Sequence, residues 1–157
     1  MTPTVPIPAV FDCTVFAQAL INPKGPAGAC VSAAQTGQVR LFVSDYCLGE
    51  IRELSIKLPA KLKVSATRVE RFILDLARYS EPVDDIPAEF VHTRDPDDAP
   101  YVDLARVTGA RFLVTRDRDL LDLMNTSDFT DRFPELQVVN PPGFLQAIDT
   151  ISRDTSV

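Results

Sequence analysis

The sequence predicts an α/β protein in which a central, mostly parallel sheet is covered by helices on both faces. Short apolar runs, each too short to be a helix, alternate along the chain with longer segments of helical periodicity. The runs 9–11 and 39–43 are followed directly by Asp12 and Ser44, and Asp117 comes shortly after the run 112–114; Asp and Ser commonly cap a following helix. Strands separated by helices pair in parallel. A length of 157 residues suits one domain, and we expect a single domain over 1–157 with its core at about 9–148.

The first half of the chain supplies two strands and their helices. In order, we predict strand 9–11, helix 15–21 capped by Thr14, a turn at 22–26, helix 27–35 closed near Gly37, and strand 39–43. A further helix follows, capped by Ser44 or Asp45 and interrupted by Pro59. Its apolar residues are Leu48, Ile51, Leu54, Ile56 and Leu58. The run 39–43 is bounded by polar residues and is rich in β-branched and aromatic side chains, which favours a strand.

The second half repeats the alternation. We first predict helix 65–79, in which one stripe carries Val69, Phe72, Ile73, Leu76 and Ala77. An extended segment at 82–87 follows, and then a helix that starts within 95–100 and ends at Gly109. The remaining elements are strand 112–114, a helix capped by Asp117 or Asp119, a polar loop at 126–134, strand 136–139 and helix 141–148. The run Phe112–Val114 is the clearest buried strand, because an abrupt polar turn with two aspartates ends it.

Composition and charge exclude several classes of protein. The formal net charge of −6 means that binding to nucleic acid needs a local basic patch or metal ions. The three cysteines lie 17 residues apart, which matches no zinc pattern, and we expect buried thiols in a reducing compartment. The N-terminus lacks the pattern of a signal peptide, and no apolar run approaches the ~20 residues that span a membrane. We therefore expect a cytoplasmic protein that does not enter a membrane.

Acidic side chains recur where strands end and helices begin. Asp12, Asp98, Asp117 and Asp119 occupy such positions, and Glu50 lies in the first turns of a helix that follows a strand. Any one of these aspartates alone is most simply a helix cap. If the set converges, two charges ~4 Å apart repel by roughly 4 kcal/mol, which a hard divalent cation such as Mg²⁺ or Mn²⁺ relieves. The set thus indicates metal-assisted phosphoryl chemistry.

Four segments of the chain resemble the PIN-domain family, in particular the nucleic-acid-binding PIN proteins related to VapC-type toxins. They are Val10–Phe16, Ser44–Leu54 with Glu50, Arg94–Asp98 and Leu113–Leu121, and the Asn22–Pro26 turn fits the same branch. The resemblance covers about residues 9–148. It implies a three-layer α/β/α sandwich and a Mg²⁺- or Mn²⁺-dependent ribonuclease. Its acidic motif falls on Asp12, Glu50, Asp98 and Asp117, with metal expected on Asp12, Asp98 and Asp117 and support from Asp95, Asp97 and Asp119.

Two positions depart from the family pattern. Thr14 stands where the family commonly has Asn, and a hydroxyl offers one donor where an amide offers two. Arg116 stands where the family favours Gly. A cation at this rim can bind a substrate phosphate, or it can pair with an aspartate and obstruct the site.

Outside the acids, the only concentrated basic region is 51–72, whose net charge is +4. It is a candidate track for an RNA backbone, with the contacts expected from Lys57, Lys61, Lys63, Arg68 and Arg71, although such segments are often only solvated faces. His92, the sole histidine, is expected at the surface without a role. Cys13 as a nucleophile would need an activating base, and packing is the simpler interpretation. No glycine-rich phosphate loop is present.

The leading hypothesis is a metal-dependent endoribonuclease, either the toxin of a toxin–antitoxin pair or a stand-alone enzyme. The family implies RNA as substrate, an antitoxin as possible partner, and a homodimer. Two alternatives stay open. One is a non-catalytic PIN-fold module for RNA or protein. The other is a haloacid-dehalogenase-like phosphatase with Asp12 as nucleophile, although its usual second Asp is Thr14 here and no suitable Lys is obvious.

Overall fold

The computed structural model describes residues 5–92 and 94–155, and these form a five-stranded parallel sheet between layers of helices. The strands are β1 Ile7–Phe11, β2 Val39–Val43, β3 Ser80–Pro82, β4 Phe112–Val114 and β5 Gln137–Val139, in the spatial order β3-β2-β1-β4-β5. The predicted three-layer α/β/α sandwich is confirmed. β1 is the central strand and is almost completely buried, which explains its continuous apolar run.

The α-helices are α1 Cys13–Ile21, α2 Pro26–Gln35, α3 Asp45–Arg52, α4 Leu54–Lys57, α5 Ala66–Tyr79, α6 Ala99–Thr108, α7 Arg118–Leu121, α8 Ser127–Arg132 and α9 Pro141–Thr155. Short 3-10 helices occupy Ala60–Leu62, Pro96–Asp98 and Asp122–Asn125. Helix α6 packs against β1, β2 and β4, whereas α1, α2, α3, α5 and α9 form the layer on the opposite face. Of the helices in the described ranges, none is both long and apolar enough to cross a membrane.

The core is continuous across the sheet. The ring of Phe144 in α9 meets the rings of Phe11 and Phe112 edge-on, with centroids 5.6 and 5.3 Å apart. Phe16 on α1 joins the same cluster through Phe11 and reaches Phe72 on α5. Aromatic packing therefore fixes the helices whose N-termini surround the carboxyl edge of the sheet.

Two prolines lie within strands, one in the central strand β1 and one at the end of the edge strand β3. Pro8 lies in the central strand, and its carbonyl accepts from the backbone N–H of Arg111 on the β4 side. Since the amide and carbonyl of one residue point to the same side of a strand, the missing N–H of Pro8 faces the side on which β4 has not yet begun. Pro82 ends β3, an edge strand that pairs only with β2 within the described residues.

Several element boundaries differ from prediction. Thr14 does not cap α1; Asp12 does, because its Oδ1 accepts the backbone N–H groups of Thr14 and Val15. The segment 126–134 is not a loop, since α8 occupies most of it and buries Phe129 against Phe90 and Phe133. The last helix continues to 155 rather than ending at 148. β1 and β5 each differ from prediction only at their first residues.

The helix predicted through Leu58 is broken at Glu53 into α3 and α4. The break rotates the apolar pattern, so that Ile51 and Leu54 are buried whereas Ile56 is 84% exposed. The stripe predicted on α5 is confirmed at Val69, Ile73 and Leu76, but Ala77 is exposed.

Candidate functional site

The carboxyl edge of the sheet gathers acidic residues from both halves of the chain. Asp12 follows β1 directly, and Asp117 follows the neighbouring strand β4 after two residues. Asp98 ends a 3-10 turn and precedes the first residue of α6, which packs under both strands. The parallel sheet thus places these three residues at one edge, as the sequence predicted.

Four carboxylates form the centre of this edge. Asp95, Asp98, Asp117 and Asp119 each offer one oxygen, and these oxygens all lie within 4.8 Å of one another. We call this group the aspartate cluster. Asp98 is buried, while the other three are half-buried, so the cluster opens to solvent on one side.

Asp98 is the most perturbed member of the cluster. Burial first, and then the nearby carboxylate of Asp117, raise the pKa of Asp98 to about 8. Its Oδ2 is buried and has no hydrogen-bond partner among the described residues. A buried acceptor without a partner is uncommon in folded proteins, and this oxygen is free to bind a ligand.

Asp12 lies beside the cluster but is held by the protein itself. Its Oδ1 accepts from the Thr14 hydroxyl at 2.5 Å, and its Oδ2 accepts from the Thr115 hydroxyl at 2.5 Å. Burial raises the pKa of Asp12 to about 6, although the bonds from Thr115, Thr14 and Val15 favour the ionised form. Asp12 is therefore a fixed negative charge behind the cluster. With both oxygens occupied, it is poorly placed as a phosphatase nucleophile.

The remaining members of the cluster are oriented by local turns. Asp117 caps α7, because its Oδ1 accepts the backbone N–H of Asp119 at 2.9 Å. Asp95 caps the 3-10 turn in the same way through Asp97. Asp119 forms an ion pair of 2.6 Å with Arg94, which also reaches Asp122 at 2.9 Å. One acid of the cluster is thus already partly neutralised. Asp97 lies on the turn but is exposed.

Glu50 stands apart from the aspartate cluster. Its Oε1 accepts a hydrogen bond from the buried Tyr101 hydroxyl. Burial raises the pKa of Glu50. Tyr46 stacks edge-on against Tyr101 and donates its hydroxyl to the carbonyl of Asp97 at 2.8 Å. These two tyrosines connect Glu50 on α3 with the turn that carries Asp95 and Asp98.

The two positions that depart from the family pattern contact each other. The Thr14 hydroxyl accepts the backbone N–H of Arg116 at 2.9 Å. The Arg116 guanidinium donates to Gln18 Oε1 at 2.7 Å, and no described carboxylate lies within ion-pair distance of it. Arg116 therefore does not obstruct the cluster by pairing with an aspartate.

The predicted basic track lies on α4, the following 3-10 turn and α5. Some of its side chains are held by an ion pair or a hydrogen bond, and others are exposed to solvent. Lys57 pairs with Glu53 at 2.6 Å, and the Arg68 guanidinium donates to the carbonyl of Leu20. Lys61, Lys63 and Arg71 are exposed. The structure keeps these residues on one segment but shows no contact between them and the aspartate cluster.

The histidine and the cysteines are packed within the fold. His92 is buried, not at the surface as predicted, and its ring packs near Phe90. Cys30 and Cys47 are buried and Cys13 is half-buried, and all three are free thiols. Burial raises the pKa of Cys13 to about 12, so that thiol is not an activated nucleophile.

Sequence reasoning missed three residues that shape the site. Thr115 bridges Asp12 and Asp117, Tyr101 holds Glu50, and Arg94 pairs with Asp119. Thr115 follows a buried strand and precedes an acid, a position that indicates a role at the sheet edge. The partners of Tyr101 and Arg94 are distant in sequence, and no local pattern indicates them.

Comparison with known proteins agrees with this geometry. The family model described as PIN domain matches residues 8–119. The fold is similar to a solved structure described as FitAB bound to IR36 DNA fragment, with a TM-score of 0.55 and 19% sequence identity, covering 85% of this chain and 94% of that chain. Among curated proteins, none is significantly similar to this sequence.

Proposed function

This chain belongs to the PIN-domain family, and from that premise we propose that it is a divalent-metal-dependent endoribonuclease whose reaction centre is the aspartate cluster. One observation carries the proposal. Four carboxylate oxygens lie within 4.8 Å of one another, and the buried oxygen of Asp98 has no partner among the described residues. The family supplies the class of reaction, and the cluster supplies the place for it.

A second buried aspartate shows how unusual the cluster is. Asp103 on α6 is also buried, but it accepts the backbone N–H groups of Glu89 and Phe90 and pairs with Arg106 at 3.3 Å. Its charge is fully compensated within the fold. Asp98 instead faces three further carboxylates. A group that is buried without compensation is costly unless a ligand completes it.

The donor set of the cluster fits Mg²⁺ or Mn²⁺. All four ligand atoms are carboxylate oxygens, which hard divalent cations prefer over nitrogen or sulfur donors. We assign the metal to Asp98 and Asp117, with Asp95 and Asp119 as further ligands. The carboxylate of Asp12, which lies beside the aspartate cluster, adds to the negative potential at the metal position. When bound, such a cation polarises a phosphodiester and makes water more acidic at neutral pH.

The residues of the chain have separate tasks in this proposal. Asp98 supplies the buried carboxylate oxygen that has no partner among the described residues and would hold the metal. Thr115 and Thr14 hold Asp12 so that its charge cannot turn away from the site. Glu50, held by Tyr101, is a further acid at the edge of the site.

The biological setting follows from the family resemblance rather than from the geometry. We propose that the chain is the toxin of a toxin–antitoxin pair, or a related stand-alone nuclease, acting on RNA in the cytoplasm. An antitoxin protein and a second copy of the chain are the proposed partners. The solved structure of similar fold is described as bound to DNA, so DNA is the control substrate.

The decisive experiment is cleavage of a mixed set of single-stranded and structured RNAs with Mn²⁺, with Mg²⁺ and with EDTA. The variants are Asp98→Asn and Asp12→Asn, and Asp128→Asn on the exposed surface of α8 is the matched control. We expect metal-dependent cleavage by the wild type and the control only, with melting temperatures showing that all variants fold. Retained cleavage in both site variants would overturn the assignment of the site.

A non-catalytic binding module is the second candidate, and one observation favours it. Arg94 already pairs with Asp119 and so neutralises part of the cluster without a metal. This candidate predicts that titration with Mn²⁺ gives no binding heat and no rise in melting temperature. Saturable binding of Mn²⁺ that Asp98→Asn abolishes would exclude it.

A further inference from the structure

A cavity of about 340 Å³ lies beside the aspartate cluster, between α1, the start of α2 and the start of α9. Its lining includes Gln18, Ala27, Arg116, Leu121 and Asn140. We call it the Arg116 pocket. It is within the size range of small-ligand sites, and Arg116 is the residue directly before Asp117 of the cluster.

Arg116 is held at this pocket by one face of α1. Thr14 accepts its backbone N–H, and Gln18, one turn further along the same face, accepts its guanidinium. Both partners are uncharged, so the positive charge is not cancelled by an ion pair. An arginine has five N–H donors in a planar fork, and a single bond to Gln18 leaves most of them for a ligand.

The polar side chains that line the pocket, Gln18, Arg116 and Asn140, each keep hydrogen-bond donors that are not used within the fold. Gln18 uses its oxygen for Arg116, which leaves its amide N–H₂ free to donate. Asn140 uses its oxygen to accept the backbone N–H of Gly143 at 2.8 Å, which leaves its amide in the same state. None of the described residues that line the pocket is acidic, whereas three other described cavities each include a carboxylate.

The start of α9 adds little to anion binding. Pro141 and Pro142 have no N–H, and those of Gly143 and Phe144 are bonded to Asn140. The attraction of the pocket for an anion therefore depends on Arg116. Ala27 and Leu121 contribute apolar side chains to the lining, which a flat ring can contact.

We propose that the Arg116 pocket binds the nucleotide next to the cleaved phosphodiester of a single-stranded RNA, with Arg116 on a phosphate and the amides of Gln18 and Asn140 on the base or sugar. This inference rests on the proposed ribonuclease function and deepens it. It gives the substrate a direction across the site, from the aspartate cluster toward α9. It also gives Arg116 the role of a substrate-binding residue that positions the RNA backbone.

The test measures binding of a fluorescein-labelled single-stranded RNA of about ten nucleotides by polarisation in EDTA, where cleavage does not interfere. Arg116→Ala is compared with Arg118→Ala, which removes the same charge from an exposed arginine two residues away that does not line the pocket. We expect Arg116→Ala to raise Kd about tenfold and to lower the salt slope by about one, as loss of one phosphate contact does. For Arg118→Ala we expect less than a threefold change, well below the tenfold that corresponds to about 1.4 kcal/mol.

A second variant tests the pocket without removing the arginine. Gln18→Glu places a carboxylate against the guanidinium and should weaken binding as Arg116→Ala does, whereas Gln146→Glu on the exposed face of α9 should not. Equal effects of Arg116→Ala and Arg118→Ala, or unchanged binding in Gln18→Glu, would overturn the proposal.

Cleavage in Mn²⁺ separates this proposal from the proposed function. If the wild type cleaves RNA and Arg116→Ala has the same effect as Arg118→Ala, nucleotide binding in the Arg116 pocket is overturned but the proposed ribonuclease function stands. A wild type that binds RNA through Arg116 but never cleaves would support the pocket and contradict the nuclease. If both hold, Arg116→Ala should raise KM much more than it lowers kcat, because the pocket binds substrate away from the reacting atoms.

Discussion

The hydroxyl of Thr115 donates a hydrogen bond of 2.5 Å to Oδ2 of Asp12, and so joins the ends of two adjacent strands that are 103 residues apart in sequence. The same hydroxyl oxygen accepts the backbone N–H of Asp117 at 2.9 Å. One buried side chain therefore orients an acid from the first strand and an acid from the fourth. The distance between these two carboxylates depends on a residue that carries no charge.

Thr115→Val should destabilise the protein although it preserves side-chain shape. The change leaves Asp12 Oδ2 and the N–H of Asp117 without their partner, and each unsatisfied buried group costs about 1–3 kcal/mol. We expect the free energy of unfolding in urea to fall by about 2 kcal/mol or more. Thr115→Ser, which keeps the hydroxyl, is the control. Equal stability of the two variants would show that the hydroxyl does not hold the site together.

Mn²⁺ binding should become tighter as the pH rises from about 6 to about 8. The metal-free protein holds a proton on Asp98, whose pKa is raised to about 8, and a cation must displace it. Calorimetric titrations at pH 7 in two buffers of different ionisation enthalpy should show proton release. In Asp98→Asn, the residual heat should not depend on the buffer. A metal affinity that is flat across this range would contradict the protonated state of Asp98.

The raised pKa of Asp98 also predicts how Asp98→Asn changes the stability of the metal-free protein with pH. A carboxyl whose pKa is raised on folding contributes fully to the free energy of unfolding at pH values below its ordinary pKa, which is near 4. That contribution is lost as the pH rises through about 8. In EDTA we therefore expect Asp98→Asn to raise the melting temperature at pH 8.5 relative to wild type. At pH 4 the two proteins should melt alike.

Arg94→Ala should strengthen metal binding. Arg94 pairs with Asp119 at 2.6 Å, and its removal frees one acid of the cluster and makes the local potential more negative. We expect the Kd for Mn²⁺ to fall about threefold to tenfold, consistent with the modest strength of exposed ion pairs. Arg40→Ala, which breaks the pair with Glu81 at the far edge of the sheet, should leave the Kd unchanged. Weaker metal binding in Arg94→Ala would mean that Arg94 positions Asp119 rather than competing for it.

If the basic segment binds RNA, Lys61 and Lys63 should matter more than Lys57. Lys57 is already paired with Glu53, whereas the other two are exposed with no ion pair to a described residue. The double variant Lys61→Ala/Lys63→Ala should lower the slope of log K against log salt by about two, because each lysine neutralises about one phosphate. Lys57→Ala should change it by much less. A slope that is the same in all three proteins would place RNA elsewhere.

Gly28→Ala should be strongly destabilising, whereas Gly49→Ala should not. A Cβ at Gly28 would lie 1.9 Å from the carbonyl oxygen of Pro23, so the turn before α2 would have to move. A Cβ at Gly49, inside α3, would meet nothing within 4 Å. We expect the first change to cost more than about 2 kcal/mol, and the second to be neutral or to add about 0.5–1 kcal/mol. Thermal melts of both variants are the measurement.

The sequence predicted the sheet and the gathering of acids because both depend on local patterns. β2 and β4 match their predicted limits, since short apolar runs between polar residues have few alternatives. Asp117 was one of two proposed caps for α7, and cap chemistry is a local property. The convergence of Asp98 and Asp117 followed from the rule that parallel strands end at one edge.

What the sequence did not predict depends on side-chain direction and on distant contacts. Thr14 is not the cap that the sequence predicts: Asp12 caps α1, and the Thr14 hydroxyl bonds to Asp12 and accepts the backbone N–H of Arg116. Helix α8 is short and polar, and burial of Phe129 among rings from other segments stabilises it. The family resemblance implies support from Asp95, but no periodicity in the sequence reveals the 3-10 turn that brings it into the aspartate cluster.

The order of strands in the sheet also determines when the aspartate cluster can form during synthesis. β1 is synthesised before its neighbour β4, which follows about a hundred residues later; Asp98 comes shortly before β4, and Asp117 and Asp119 come shortly after it. Until β4 inserts beside β1, the nascent chain has Asp12 but no cluster and no Arg116 pocket. A ribosome-bound chain that is cut short before residue 112 therefore cannot assemble the site.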